Sequence, residues 1–254
     1  MSTIQNNINI SYRSKRIIGV SALVAAVVAW LIINPLSWEK EPVLESGNSD
    51  SQSVQPLGVS TENPADESKL ARNVLEKLEV KGRAPKTNYN REEFYKSWPN
   101  VNGCSLRQII IKREFGDSAV LDGCNVIAGK FTEPYTGQEM EFTEKTQISK
   151  KIQIDHVVAL SDAWQKGAQY MEKEVRYNMA TDPLNLLAVE SSANQQKSDG
   201  DAATWLPPNK LFRCQYVARQ VSVKKKYNLW VTEAEHDAIA KVLESCPNEP
   251  VVGI

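Results

Sequence analysis

The stretch that decides the reading of this 254-residue chain begins Ile154-Asp155-His156-Val157-Val158, resumes at Asn185-Leu186 and ends Asn194-Gln195-Gln196-Lys197-Ser198-Asp199. The run from Ile152 to Val158 is rich in β-branched residues and predicts a strand. The apolar residues Leu184 to Val189 predict a second short one. Ser191 to Asp199 is polar and predicts a brief helix that Gly200 ends. On that helix Asn194 and Lys197 share a face. The carboxylate of Asp155 and the amide oxygen of Asn194 are hard ligands, suited to Mg²⁺ or Mn²⁺ rather than to zinc. One neutral histidine beside a hard metal suits phosphodiester hydrolysis: the base takes a proton from water while the metal steadies charge on the phosphate. One physical objection stands. Successive side chains on a regular strand point to opposite faces, so Asp155 and His156 should not both reach one site.

Working outward, Leu70, Val74, Leu75 and Leu78 fall at helical spacing, with Asp66 as a cap and Gly82 as a stop. Phe94, Tyr95 and Trp98 form an aromatic cluster after Pro85. Ser105 to Phe115 predicts a helix stopped by Gly116, and Asp122-Gly123 a turn. A hairpin is expected between Cys124 and Phe142, and a helical segment from Ala168 to Ala180. Thr232-Glu233-Ala234-Glu235 is a capping box opening a last helix to about Ser245. The class is α+β, helix-rich with small sheets.

Thirty basic against thirty-one acidic side chains give a net charge of −1, which argues against coating nucleic acid by bulk charge. Residues 1–69 hold five basic and seven acidic side chains, so the remainder carries 25 and 24 and is close to neutral. His156 and His236 are the only histidines, which excludes a His₃ zinc centre. Cys104, Cys124, Cys214 and Cys246 include no C-x-x-C pair, so no structural zinc is expected. Four cysteines in an exported chain suggest two disulfides with three connectivities open, against free buried thiols. Cys104–Cys124 with Cys214–Cys246 is favoured because each pair brackets its own segment.

Export is read from the N-terminus. Arg13, Lys15 and Arg16 precede an apolar run from Ile17 to Ile33, and no charge follows until Glu39. A helix needs about 20 apolar residues to cross a bilayer, and the positive flank holds that end in the cytoplasm. Residues 1–38 are therefore expected to form a single-pass membrane anchor, with a signal peptide cleaved after Ala29 as the alternative. Residues 39–69, rich in Ser, Asn, Gln, Glu, Pro and Gly, read as a flexible tether. Residues 70–254 are the folded domain.

The central constellation resembles the HNH, or His-Me finger, nucleases. The closer resemblance is to exported bacterial proteins that share the C-terminal domain of modification-dependent restriction endonucleases. It runs from about Val80 to Cys246. Its markers are Cys104 with Arg107, Pro134-Tyr135-Thr136-Gly137, Ile154 through Trp164, Asn185 through Val189, Asn194 through Asp199, Trp205-Leu206-Pro207-Pro208 and Cys214-Gln215-Tyr216. The resemblance implies a helix-rich domain around a small ββα-metal core. It makes His156 the general base, Asp155 and Asn194 the metal ligands, and Asn185 the residue that holds the base. It turns Lys197 toward the scissile phosphate. Asn194 departs from the histidine common at that position, and the zinc cysteines of many relatives are missing.

Against this stand plainer readings. An Asp-His dipeptide alone is common, Asn185 follows Asp182-Pro183 and could be a turn residue, and Lys197 could be a solvated helix lysine. Lys224-Lys225-Lys226 reads as a solvated face, and His236 as exposed. Arg176 and Arg213 are candidate contacts to DNA phosphates, and Trp164 is expected to pack behind the site. The expected activity is metal-dependent endonucleolytic cleavage of nucleic acid, DNA before RNA, by an extracytoplasmic protein. No protein partner is inferable. The rival is a catalytically inactive envelope-associated binding module of the same fold.

Overall fold

The computed structural model describes residues 66–253; the expected anchor and all but the last residues of the expected tether lie outside the described residues. Among the described residues no helix is long and apolar enough to cross a membrane. The centre of the domain is a two-stranded antiparallel sheet of β6 (Ile152–His156) and β7 (Leu186–Glu190), in register from Ile152 opposite Glu190 to His156 opposite Leu186. Both faces of β7 are covered, which explains its unbroken Leu-Leu-Ala-Val sequence. Leu187 and Val189 enter a core with Tyr216, Val217 and Val221. Leu186 and Ala188, with Ile152 and Ile154 of β6, enter a second core with Leu106, Ile110 and Ile111. The period of two along each strand thus sorts side chains between two cores.

Around this pair lie β1 (Asn100–Val101) with β2 (Cys104–Ser105), and a meander of β3 (Val120–Asp122), β4 (Asn125–Thr132) and β5 (Glu139–Phe142), all antiparallel. The helices are α1 (Ala71–Leu75), α2 (Leu106–Phe115), α3 (Lys145–Lys151), α4 (Leu160–Gln165), α5 (Lys173–Thr181), α6 (Ser191–Lys197), α7 (Arg213–Lys226) and α8 (Glu233–Leu243). The class is α+β, as the sequence implies. Gly116, at φ 54°, ends α2 where a side chain would be strained. The helix from Ser191 ends at Ser198, itself at φ 52°. Gly200 serves a close approach instead, since a Cβ there would sit 2.9 Å from the Lys197 carbonyl oxygen.

Several expectations are corrected. Asp66 caps a 3-10 turn, Glu67–Lys69, ahead of α1 and so inside the expected tether. The segment from Ala168 to Ala180 divides into a 3-10 turn, Ala168–Tyr170, and α5. Helix α7 was not expected. Its residues Tyr216 to Ala218 and Gln220 to Lys224 are all buried, so it has no polar face and no periodic stripe to read. Lys224 accordingly lies inside the protein rather than on a solvated face.

Lys224 belongs to a buried charge cluster. The Lys166 ammonium meets Asp162 at 2.7 Å, Asp201 at 2.7 Å and Glu235 at 2.6 Å. Lys224 meets Glu235 at 3.0 Å, and Arg83 reaches Asp162 at 2.9 Å and Asp201 at 2.7 Å. Three cations thus balance three carboxylates between α4, α7, α8 and the Asp201 loop. Thr232 caps α8 through its side chain, which accepts from the Glu235 N–H. The Glu235 carboxylate turns into the cluster rather than back to close a capping box. Disulfides join Cys104 to Cys124 and Cys214 to Cys246, the pairing favoured from sequence. The first ties β2 to the β3–β4 turn; the second ties the start of α7 to the end of α8.

Candidate functional site

β6 ends at His156 and the chain turns into α4. Asn185, fully buried just before β7, fixes that turn. Its side-chain oxygen accepts the Val158 N–H at 2.8 Å, its backbone oxygen accepts the Val157 N–H at 2.9 Å, and its amide nitrogen donates to the Val158 carbonyl at 3.3 Å. Asn185 therefore holds the backbone that leaves His156 rather than the imidazole itself.

The imidazole is held by three other groups. Nε2 lies 2.9 Å from the Ala180 carbonyl oxygen, the Trp98 ring stacks on it at 5.9 Å, and Tyr95 tilts against it at 5.9 Å. A carbonyl only accepts, so Nε2 carries the proton and Nδ1 the lone pair. Burial, and then the positive charge of Arg91, lower the histidine to about 3. The ring is thus neutral near pH 7, the form a base requires.

Asp155 is buried on the opposite face of the strand. One carboxylate oxygen accepts the Lys197 ammonium at 3.0 Å and the other accepts the Tyr135 hydroxyl. Burial pushes its carboxyl up, while the Lys197 charge and the Tyr135 hydrogen bond pull it back. Asn194 donates its amide nitrogen to Gln153 Oε1 at 2.8 Å.

Ile154, Asp155 and His156 nevertheless line one cavity of about 270 Å³, together with Arg91, Ser161, Asn194 and Asp199. The two-stranded sheet leaves one edge of β6 free. Three consecutive residues thus border the same space, which answers the objection from strand alternation. Asp199, also lining the cavity, accepts Ser161 Oγ at 3.0 Å and the Lys86 ammonium at 3.1 Å. A hydrogen bond from Lys86 holds its carboxyl below the usual range.

Asp155, His156 and Asn194 are therefore brought together, with Asn185 behind them. Three other expected residues are placed differently. Lys197 is buried and spends its ammonium on Asp155 and, at 2.8 Å, on the His156 carbonyl, so it does not face the cavity. Arg176 is buried and donates to the Glu93 carbonyl at 3.0 Å, the Glu93 carboxylate at 3.1 Å and the Met171 carbonyl. Arg213 donates to the Pro207 carbonyl at 2.8 Å. Neither arginine borders the cavity; both are held by their own fold. Trp164 packs with Phe94 and Met179, away from the cavity lining.

Arg91 lines the cavity and Tyr135 bonds Asp155, and neither carried an assigned role in the sequence. Arg91 is exposed and hydrogen-bonds the Tyr95 hydroxyl. It makes no ion pair with a carboxylate among the described residues, which suits it to an external anion. Nothing in its loop signalled this. Tyr135 stood in one of the quoted markers, but its bond to Asp155 joins residues far apart in sequence.

The donor chemistry at Asp155 and Asn194 fits a hard divalent ion. Both line the same cavity, and the amide oxygen of Asn194 accepts no hydrogen bond among the described residues. No three His, Cys, Asp or Glu side chains gather into a metal-holding group among the described residues. Water and a substrate phosphate would have to complete such a shell, an arrangement common for Mg²⁺.

Residues 106–242 match the family described as GmrSD restriction endonucleases, C-terminal domain. An uncharacterized secreted protein of Arthroderma benhamiae is 32% identical over 195 residues, covering 75% of this chain and 92% of that protein. No solved structure matches with significance.

Proposed function

The chain belongs to the family of GmrSD restriction endonuclease C-terminal domains, and from that premise we propose that it is an exported, metal-dependent endonuclease that hydrolyses phosphodiester bonds of DNA. The observation that carries the reading is His156: a neutral, aromatically clamped imidazole whose Nε2 is spent on Ala180, bordering a cavity with Arg91, Asp155 and Asn194. Nδ1 accepts the proton of the attacking water. The Ala180 carbonyl and Trp98 keep the ring oriented, and Asn185 keeps the turn beneath it from shifting. Arg91 binds the phosphate and meets its growing negative charge. Lys197 and Tyr135 fix the Asp155 carboxylate.

Asp155 and Asn194 would hold Mg²⁺ or Mn²⁺, which when bound supplies charge stabilisation at the phosphate and the departing oxygen. In this reading β6, β7 and α6, which follows β7 directly, are the HNH-like ββα core. Residues 70–254 are the nuclease domain, residues 39–69 the tether and residues 1–38 the anchor or signal peptide. Two disulfides and a relative named as secreted support an extracytoplasmic location.

The rival, an inactive envelope-associated binding module, draws on one observation: both oxygens of Asp155 are already engaged by protein donors. Supercoiled plasmid incubated with the oxidised protein and Mg²⁺ or Mn²⁺ separates the two. Nicking that disappears with EDTA and with His156→Ala supports the nuclease. A folded protein that cuts no DNA, RNA or single strand under either metal favours the module.

A further inference from the structure

A second cavity, of about 600 Å³, is lined by Tyr95, with Phe94, Pro99 and Tyr177 among its other walls. The Tyr95 ring lies 5.9 Å from the imidazole, and Arg91, which borders the His156 cavity, hydrogen-bonds the Tyr95 hydroxyl. Phe94 and Tyr95 are buried and give the pocket a fixed floor, while Tyr177 on α5 is 38% exposed and offers an open ring. Exposed Lys96 and Lys173 also line it, with the carboxylates Glu92 and Glu174.

We propose that this pocket receives a nucleobase of the strand whose phosphate meets Arg91 and His156, so that the substrate is single-stranded or presents an unstacked base. The inference rests on the phosphodiesterase reading above and adds its substrate class. Aromatic and apolar walls suit the face of a base rather than a phosphate. The two carboxylates repel a phosphate but accept from exocyclic amino groups. The two lysines suit the phosphates on either side of the bound base. A base still stacked in a duplex cannot enter a side pocket while the adjoining phosphate sits at His156, so it must leave the stack first.

The test uses the full oxidised chain and a short single strand carrying one 2-aminopurine, a matching strand with an abasic site there, and the duplex. Binding is read by 2-aminopurine fluorescence without metal, and cleavage is read with Mg²⁺ or Mn²⁺. Wild type is expected to quench the probe. Tyr177→Ala, a change on the surface that leaves the core intact, is expected to weaken binding roughly tenfold or more, as loss of a base stack does. Tyr177→Trp should restore it. The abasic strand, read by competition against the 2-aminopurine strand, should bind wild type as weakly as the intact strand binds Tyr177→Ala, and the duplex should be cut more slowly than the single strand. Unchanged quenching and KM in Tyr177→Ala, with wild type still cleaving, overturns the pocket and leaves the nuclease standing. Quenching that needs Tyr177 but no cleavage by wild type supports the pocket and removes the hydrolytic reading. Neither quenching nor cleavage overturns both.

Discussion

Replacing Lys166 by methionine removes the ammonium that bonds Asp162, Asp201 and Glu235, all of them buried. Methionine is unbranched and flexible enough to fill the vacated space, so the change isolates the charge. Arg83 and Lys224 are then left against three carboxylates. Breaking a buried ion pair from one side typically costs about 3–5 kcal/mol. Protonation sets a ceiling. Neutralising a carboxyl of ordinary pKa near 4 at pH 7 takes about 1.4 kcal/mol per unit, or about 4 kcal/mol. The expected loss at pH 7 is therefore about 3–4 kcal/mol. Its pH dependence follows from Asp201. Burial works to raise that carboxyl, but the hydrogen bond and charge of Lys166, with Arg83, outweigh it and hold it at about 2. A folded pKa below the unfolded value contributes stability above about pH 4, and that stability is lost as pH falls toward 2. Without Lys166 one carboxyl of the cluster should instead titrate above its unfolded value, so the variant gains stability as pH falls from 7 toward 4. Urea unfolding followed by tryptophan fluorescence at pH 7 and at about pH 4.5 should show the deficit shrinking at the lower pH. Adding Glu235→Gln should recover part of it, because the two residues are coupled. A deficit below about 1 kcal/mol at pH 7, or one equal at both pH values, would refute the reasoning.

Asn185→Ala leaves the Val158 N–H without its buried acceptor. It should lower stability by about 1–3 kcal/mol, and cleavage by the folded fraction should fall as well because the turn after His156 loosens; melting curves and kcat check the two effects separately. Arg91→Ala should raise KM and flatten the salt dependence of binding by about one phosphate contact, whereas Arg91→Lys should recover charge but not the forked geometry; filter binding across a salt series measures both. Reduction of the disulfides, which close separations of 20 and 32 residues, should cost about 3 kcal/mol each, and denaturant midpoints of Cys104→Ser/Cys124→Ser and Cys214→Ser/Cys246→Ser pairs test the two bonds one at a time.

The parts of this molecule legible in sequence are those whose signal is local. β6, β7 and α6 carry their own periodicity or polarity, so the order of Asp155, His156, Asn185 and Asn194 could be placed on elements before any fold was known. For Lys197 the sequence points the wrong way, because helical spacing says only which residues share a face. In α6 the polar Asn194 borders the cavity while Lys197 is drawn under the sheet by Asp155 and the His156 carbonyl. The run Lys224-Lys225-Lys226 misled for a similar reason. The carboxylates that make Lys224 bearable in the interior come from α4 and α8, and no window of sequence contains all of them. Arg176 shows the third kind of failure. A basic residue near a motif has no sequence mark that separates a phosphate contact from a structural brace.

That brace still bears on the site. Arg176 bonds the backbone and carboxylate of Glu93, and Glu93 ends the short 3-10 turn Arg91–Glu93. The guanidinium expected at the phosphate therefore holds the turn that carries the arginine bordering the cavity. From that turn Tyr95 leans on the His156 ring and takes the Arg91 hydrogen bond. His156 from β6 and Arg91 from the turn are joined by a single aromatic side chain. The consequence is directional: loosening the turn should disturb Arg91 and the Tyr95 wall together, while Asp155, fixed from the other face by Tyr135 and Lys197, keeps its place. Arg176→Met should accordingly weaken substrate binding more than metal binding. Equal losses in both would mean that the turn and the Asp155 face are not mechanically separate.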